Sequence, residues 1–163
     1  MLEEALKVLI ITIAPGFEAR VAVAYVMIAL NIKSPIIPLA ISIPTILIGI
    51  ALYWILDKVE EKIKEGKAFP FRSRLIRAFY FKYVNYIRNK SRKYVEKYGV
   101  PGLILFITIP LPGSGAWTGA LVAKLFNISY DKAAFSIILG VIFSSYISYT
   151  AINMGLHVVE LVI

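Results

Sequence analysis

Apolar and polar positions along this chain follow a pattern that occurs twice. A short apolar run meets a Pro/Gly break, a second short apolar run follows, then a small polar hinge, then one long apolar run. The first copy covers 1–56 and the second 97–157. The breaks read IAPGFEARV at 13–21 and IPLPGSGAWTG at 109–119, and the hinges read NIKSP at 31–35 and NISYD at 127–131. The long runs, Ile36–Leu56 and Ala133–Leu156, reach ~31 Å or more as helices, enough to cross the ~30 Å hydrocarbon core. The arms Leu6–Ala14, Phe17–Leu30, Val100–Ile109 and Gly115–Phe126 come to only ~14–21 Å and fit re-entrant hairpins better than full spans. Pro44 is expected to kink the first span.

Each copy then contains one crossing, so the second starts on the opposite side from the first. The expected fold is an all-α polytopic membrane protein. It consists of two inverted repeats, each a re-entrant helical hairpin plus a transmembrane helix, joined by a basic amphipathic connector. The repeats occupy 1–56 and 97–163 of a single membrane domain, with the connector at 57–96. Broken apolar helices at matching places in two halves point to a transporter site at the repeat interface. Aligning Asn31-Ile32 with Asn127-Ile128 sets the offset of the two copies at 96.

Composition agrees. Hydrophobic residues make up 59% of the chain and mean hydropathy is +0.76, more apolar than a soluble domain of this size can bury. There are no cysteines and one histidine, so disulfides, thiol chemistry and a metal cluster are not expected. Glu3 and Glu4 stand where a secretory signal would be basic, so none is expected. The net charge of +8 sits in one place. Between Asp57 and Tyr98 lie 13 of the 18 Lys and Arg residues and five acids, which puts this stretch on the cytoplasmic side of the cell membrane. Lys33 and the N-terminal acids then fall outside, and Lys124, Asp131 and Lys132 inside.

Candidate chemistry lies in the breaks. Glu18 and Arg20 carry charge in otherwise apolar sequence, at a cost of roughly 2.5–3.5 kcal/mol each at the bilayer centre. They are expected to face a cavity, water or a partner; an ion pair that merely holds the hairpin tip is the competing reading. Spaced i, i+2, they do not share a helix face. Pro15 and Gly16 make the first turn. In the second break Pro110 and Pro112 interrupt the helix, Gly113 and Gly115 permit the turn, and Ser114 adds a hydroxyl. The amides that open the next arm form a ready anion site; a tight turn with no ligand is the plain alternative. Gly115, Gly119 and Ala123 space small residues for close helix contact, and Ser136, Gly140, Ser144 and Ser148 form a second such seam. Ser145, Tyr146, Tyr149 and Asn153 make the last span polar enough to line the interior.

In the connector Leu75, Phe79, Tyr83, Tyr86, Tyr94 and Tyr98 approximate a helical stripe among basic residues. Arg72, Arg74, Arg77, Lys82 and Arg88 are the candidates for contact with an anionic leaflet; nucleic-acid binding is the disfavoured alternative. No Walker loop, Ser-His-Asp set or paired carboxylates occur, so no catalytic residue, enzyme activity, cofactor or metal is expected.

At PGFEAR and PLPGSGAWTGALVA, joined by the basic loop, the chain resembles the small multidrug export protein family, related to the DedA and VTT membrane proteins. The resemblance implies two re-entrant hairpins meeting at the midplane and, for the wider superfamily, movement of phospholipids or polyprenyl-phosphate carriers. Glu18 and Arg20 match the acidic and basic positions of the first re-entrant motif. DedA proteins also carry arginine in the second half, where this chain has only Lys124. The leading expectation is a flippase-like transporter of an anionic amphiphilic lipid through a polar site of Glu18, Arg20, Pro112, Gly113, Ser114 and Gly115. An exporter of small hydrophobic or cationic molecules, with proton coupling, and a non-transporting scaffold are the alternatives. Membrane lipids are the expected partners, with room for a homo-oligomer.

Overall fold

A computed structural model describes residues 2–15, 17–64, 74–109 and 114–162, without the side chains of 59–64, 74–83 and 158–162. These residues form seven helices and no strand: α1 (Leu2–Ile13), α2 (Glu18–Ile28), α3 (Ile37–Lys64), α4 (Arg74–Tyr98), α5 (Val100–Thr108), α6 (Ala116–Leu125) and α7 (Tyr130–Val162). Two segments, Ile37–Lys58 in α3 and Tyr130–His157 in α7, are long and apolar enough to cross a membrane. The arms α1, α2, α5 and α6, at 12, 11, 9 and 10 residues, are ~14–18 Å long. Pro44 lies inside α3, and the helix runs through it.

The hinges end α2 and α6 in the same way. Asn31 and Asn127 both have φ of 52°, a left-handed conformation that Asn tolerates better than most residues. Behind each, an amide turns back onto its helix: Ile32 N–H to the Val26 carbonyl at 3.2 Å and Ile128 N–H to the Ala123 carbonyl at 2.9 Å. The hinges sit at opposite ends of the bundle. Tyr53, late in α3, donates to the Ile128 carbonyl at 2.8 Å and meets the Tyr130 ring edge-on at 5.7 Å. Tyr146 and Tyr149, late in α7, donate to the Pro35 and Lys33 carbonyls at 3.2 and 3.4 Å. So α3 runs from the first hinge to the second, and α7 runs back. Tyr146 is therefore exposed, reaching the hinge rather than lining an interior.

The core is where the short arms meet the long helices. Val23, Met27, Leu103, Phe106, Ile107, Val122 and Ile137 are all buried. Around them lies an apolar perimeter. Ile36, Leu47, Trp54 and Met154 are each more than half exposed, an arrangement that a bilayer accommodates and water does not. On α7, Ser136, Gly140 and Ser144 are buried in the seam against α5, as their spacing predicts. A Cβ on Gly140 would stand 2.6 Å from Ile107 Cβ and 3.3 Å from the Ile104 carbonyl.

The connector helix α4 packs one face on the bundle. Its buried face is Val84, Ile87, Ser91 and Val95, with Tyr94 tilted against Phe106 of α5 at 6.4 Å. The aromatic residues Tyr86 and Tyr98 are exposed, with Lys90 and Lys97 near their rings at 5.9 and 5.1 Å. Aliphatic residues thus hold α4 to the bundle, and the one buried hydroxyl among them, Ser91, donates back to the Ile87 carbonyl at 2.8 Å. Arg88 lies on the exposed face. Arg72 is outside the described residues, as are the side chains of Arg74, Arg77 and Lys82.

Gly119→Ala is expected to cost about 1–3 kcal/mol, as overpacking does, because a Cβ there would stand 2.6 Å from Ile107 Cδ1, and Ile107→Val in the same chain, which removes that carbon, to recover part of it. Thermal unfolding of the two single variants and the double variant in detergent measures this.

Candidate functional site

The turn between α1 and α2 closes with Phe17 and Glu18 N–H groups on the Ala14 carbonyl, at 3.2 and 3.3 Å. Pro15 lies in this turn and is exposed; Gly16 is outside the described residues. Glu18 has φ of 56°, which costs a non-glycine residue about 1–2 kcal/mol. This conformation turns the Glu18 side chain away from α2 and towards the second break.

There the carboxylate meets the start of α6. Glu18 Oε2 accepts the Ala116 N–H at 3.0 Å, at the positive end of that helix. The approach is tight enough that any Cβ on Gly115 would collide with the carboxylate. The Gly115 N–H turns instead to Thr118 Oγ1, at 2.9 Å. So the anion site expected at this helix end exists, and the chain fills it with its own side chain.

Arg20 satisfies the opposite polarity. Its guanidinium donates to the Ser114 carbonyl, with longer contacts to the Ile109 carbonyl at 3.4 Å and Ser114 Oγ at 3.5 Å. Ser114 Oγ in turn donates to the Ile109 carbonyl at 2.6 Å. A broken helix leaves carbonyls without intrahelical partners, and a guanidinium, with five donors and no acceptor, suits them. Arg20 Nη2 also stands 3.7 Å from Glu18 Oε2, the two side chains being 15% and 6% exposed. The i, i+2 spacing does not keep them apart, because the left-handed Glu18 backbone and the shared target bring both to one place. Glu18, Arg20, Ser114 and Gly115 are thus brought together; Pro110, Pro112 and Gly113 lie outside the described residues.

The end of α1 is closed from both halves. The Trp117 indole N–H donates to the Ile13 carbonyl at 3.2 Å, and Thr45 of α3 donates to the Thr12 carbonyl at 3.1 Å. Both close the C-terminal end of α1. Neither was expected from the sequence, though an indole donor in an apolar segment signals a partner. Beside the pair is a cavity of about 10 Å³ bordered by Glu18, Arg20, Thr45, Gly115, Ser144 and Ser145, room for about one water. Ser144 Oγ is buried there without a hydrogen-bond partner. Ser145 is engaged, receiving the Ser42 hydroxyl at 2.9 Å.

Lys124 does not join this site. It lies eight residues beyond Ala116, ~12 Å along the helix, where it pairs with Asp57 at 2.6 Å beside the Tyr53 ring. No group of His, Asp or Glu able to hold a metal occurs among the described residues.

An apolar helical bundle with two membrane-length helices and a buried carboxylate–guanidinium pair at the junction of its broken helices defines an integral membrane protein. The chain belongs to the family described as "Putative small multi-drug export protein", whose model matches residues 18–147. The match starts at Glu18 and leaves α1 outside; it does not address the DedA and VTT proteins. No curated protein and no solved structure matches the chain.

Gly115→Ala is expected to destabilise the protein by about 1–3 kcal/mol by pushing the Glu18 carboxylate off Ala116. In a Glu18→Ala background the same substitution should cost clearly less. Additive losses across this double-mutant cycle in thermal unfolding would place the strain elsewhere.

Proposed function

We propose that the protein is a small membrane transporter of apolar and amphiphilic molecules, in which the Glu18–Arg20 cross-link between the two halves is the gate. The observation that carries this is the pair itself. Two charged side chains sit in an apolar bundle, grip the opposite break, hold a strained backbone and border a cavity with a free hydroxyl. A scaffold has no need of so costly a junction; a gate needs contacts that form and release. The family description supports export of small molecules.

The architecture proposed for this gate is a pair of inverted repeats with re-entrant hairpins. Its supports are the short arms, the matching left-handed asparagines, the antiparallel α3 and α7, and the hinges at opposite ends. Lys124 pairs with Asp57 at the start of the basic connector, which agrees with the second hinge lying on the cytoplasmic side.

A second reading is movement of an anionic lipid, phospholipid or polyprenyl phosphate. It is favoured by what the gate would expose on release. Once Glu18 leaves the start of α6, the Ala116 amide and Arg20 together suit an anionic headgroup. Proton transfer to Glu18 is one way to release it.

Proteoliposomes holding either ethidium or a fluorescent phospholipid separate the readings. Wild type is expected to move at least one cargo, and Glu18→Gln and Arg20→Lys to slow it at least tenfold while still folded. Flux of neither cargo through folded wild type would leave the scaffold. Topology is testable because the chain has no cysteine. Single cysteines at Ser34 and Ser129 are expected to react with an impermeant maleimide from opposite sides of the membrane; labelling from the same side would remove the inverted arrangement.

A further inference from the structure

One flank of α4 takes no part in the junction of the breaks. Beside the face that packs on the bundle, Tyr86, Lys90, Lys93 and Lys97 follow one another at four, three and four residues. That spacing sets them in one row along the helix, ~16 Å long. No acid among the described residues shares the row. Glu96 lies on another flank, where it pairs with Arg92 at 2.7 Å. Each lysine of the row stands over a tyrosine ring: Lys90 over Tyr86 at 5.9 Å, Lys93 over Tyr94 at 4.9 Å and Lys97 over Tyr98 at 5.1 Å. A ring holds an ammonium over its face without using all three of its donors.

The positive charge cannot be cancelled within the connector. Between Asp57 and Tyr98, 13 Lys and Arg residues meet five acids, so at least eight cations remain however those acids pair. One of the five, Asp57, is taken by Lys124 from outside the stretch.

The row also lies at a membrane boundary. The apolar segment of α3 ends at Lys58, and the apolar arm α5 begins at Val100. Gly99, with φ of 58°, folds α4 back on α5, and Gly102 packs directly on the Tyr94 carbonyl. Both ends of the connector are therefore tied to apolar segments, which keeps α4 at headgroup level. A tyrosine ring, apolar in body and polar at its tip, suits that depth.

We infer that this row is a docking surface for the anionic phospholipid headgroups of the adjacent leaflet. Lys90, Lys93 and Lys97 take the phosphates, and the tyrosines stand between headgroups. The aliphatic face of α4 is committed to the bundle, so the helix reads headgroup charge and buries no apolar side in the leaflet. The lipid held here is a neighbour of the protein and not its cargo. The inference needs a chain embedded in a bilayer; it rests on neither the gate nor transport.

Full-length protein in neutral detergent is mixed with equal amounts of phosphatidylglycerol and phosphatidylcholine of the same acyl chains. After washing, the retained lipids are counted by mass spectrometry. Wild type is expected to keep phosphatidylglycerol about fivefold or more over phosphatidylcholine. The preference is expected to vanish as salt rises from about 0.1 to about 1 M, where the screening length falls from ~10 to ~3 Å. Lys90→Gln, Lys93→Gln and Lys97→Gln together are expected to bring the ratio to about one, with the unfolding temperature unchanged. Arginine at the same three positions keeps the charge and is expected to keep the preference. Lys7→Gln, Lys33→Gln and Lys132→Gln together remove equal charge elsewhere and are expected to leave the ratio intact. No preference in wild type, a preference that survives glutamine in the row, or one lost equally in the control overturns the inference. So does row-dependent binding of a labelled single-stranded oligonucleotide with no preference between the lipids, which makes the surface a nucleic-acid site.

Discussion

Everything in this fold leans on one exchange across the breaks. Two broken helices in an apolar setting leave amides and carbonyls that no lipid can satisfy. Each half of the chain supplies the groups that the other lacks. Glu18 accepts the amide that opens α6, Arg20 donates to the carbonyls before it, and Trp117 donates to the carbonyl that ends α1. Without these contacts the open backbone groups at each break would lack the partners that the other half supplies. The same contacts fix how the halves face each other, since each joins residues about a hundred positions apart.

Such an exchange is a structural tie and, on the function proposed above, also a gate. The tie explains why the charges are tolerated: their desolvation is offset by hydrogen bonds to a helix end and to carbonyls that would otherwise go unmatched. The proposed gate rests on its incompleteness. Glu18 holds a left-handed backbone, Gly115 has no room to spare, and Ser144 keeps an unpartnered hydroxyl beside the pair. A junction built only for stability has no use for these features, whereas one that must open is helped by a neighbouring acceptor and stored strain.

The junction carries its polar groups on short arms, so small shifts of α1–α2 or α5–α6 would break its contacts while α3 and α7 stay packed.

Helix number, the two long apolar helices, the places of both breaks and both hinges, and the seam on α7 were legible in the sequence. These depend on local rules: apolar run length, Pro and Gly at turns, Asn where a helix must end left-handed. That Glu18 and Arg20 must find polar partners was legible for the same reason, since a charge in an apolar run is visible without a fold. Their partners were not. That Glu18 fills the anion site at α6, that Arg20 serves the Ser114 carbonyl, and that Trp117 closes α1 depend on residues about a hundred positions apart meeting in space. The face of α4 that packs on α5 was not read from the sequence, because the aliphatic residues that form it have their partner on another helix. Sequence alone determined what each segment must bury; only the tertiary structure decided what it is buried against, because burial is a property of one segment and partnership a property of two.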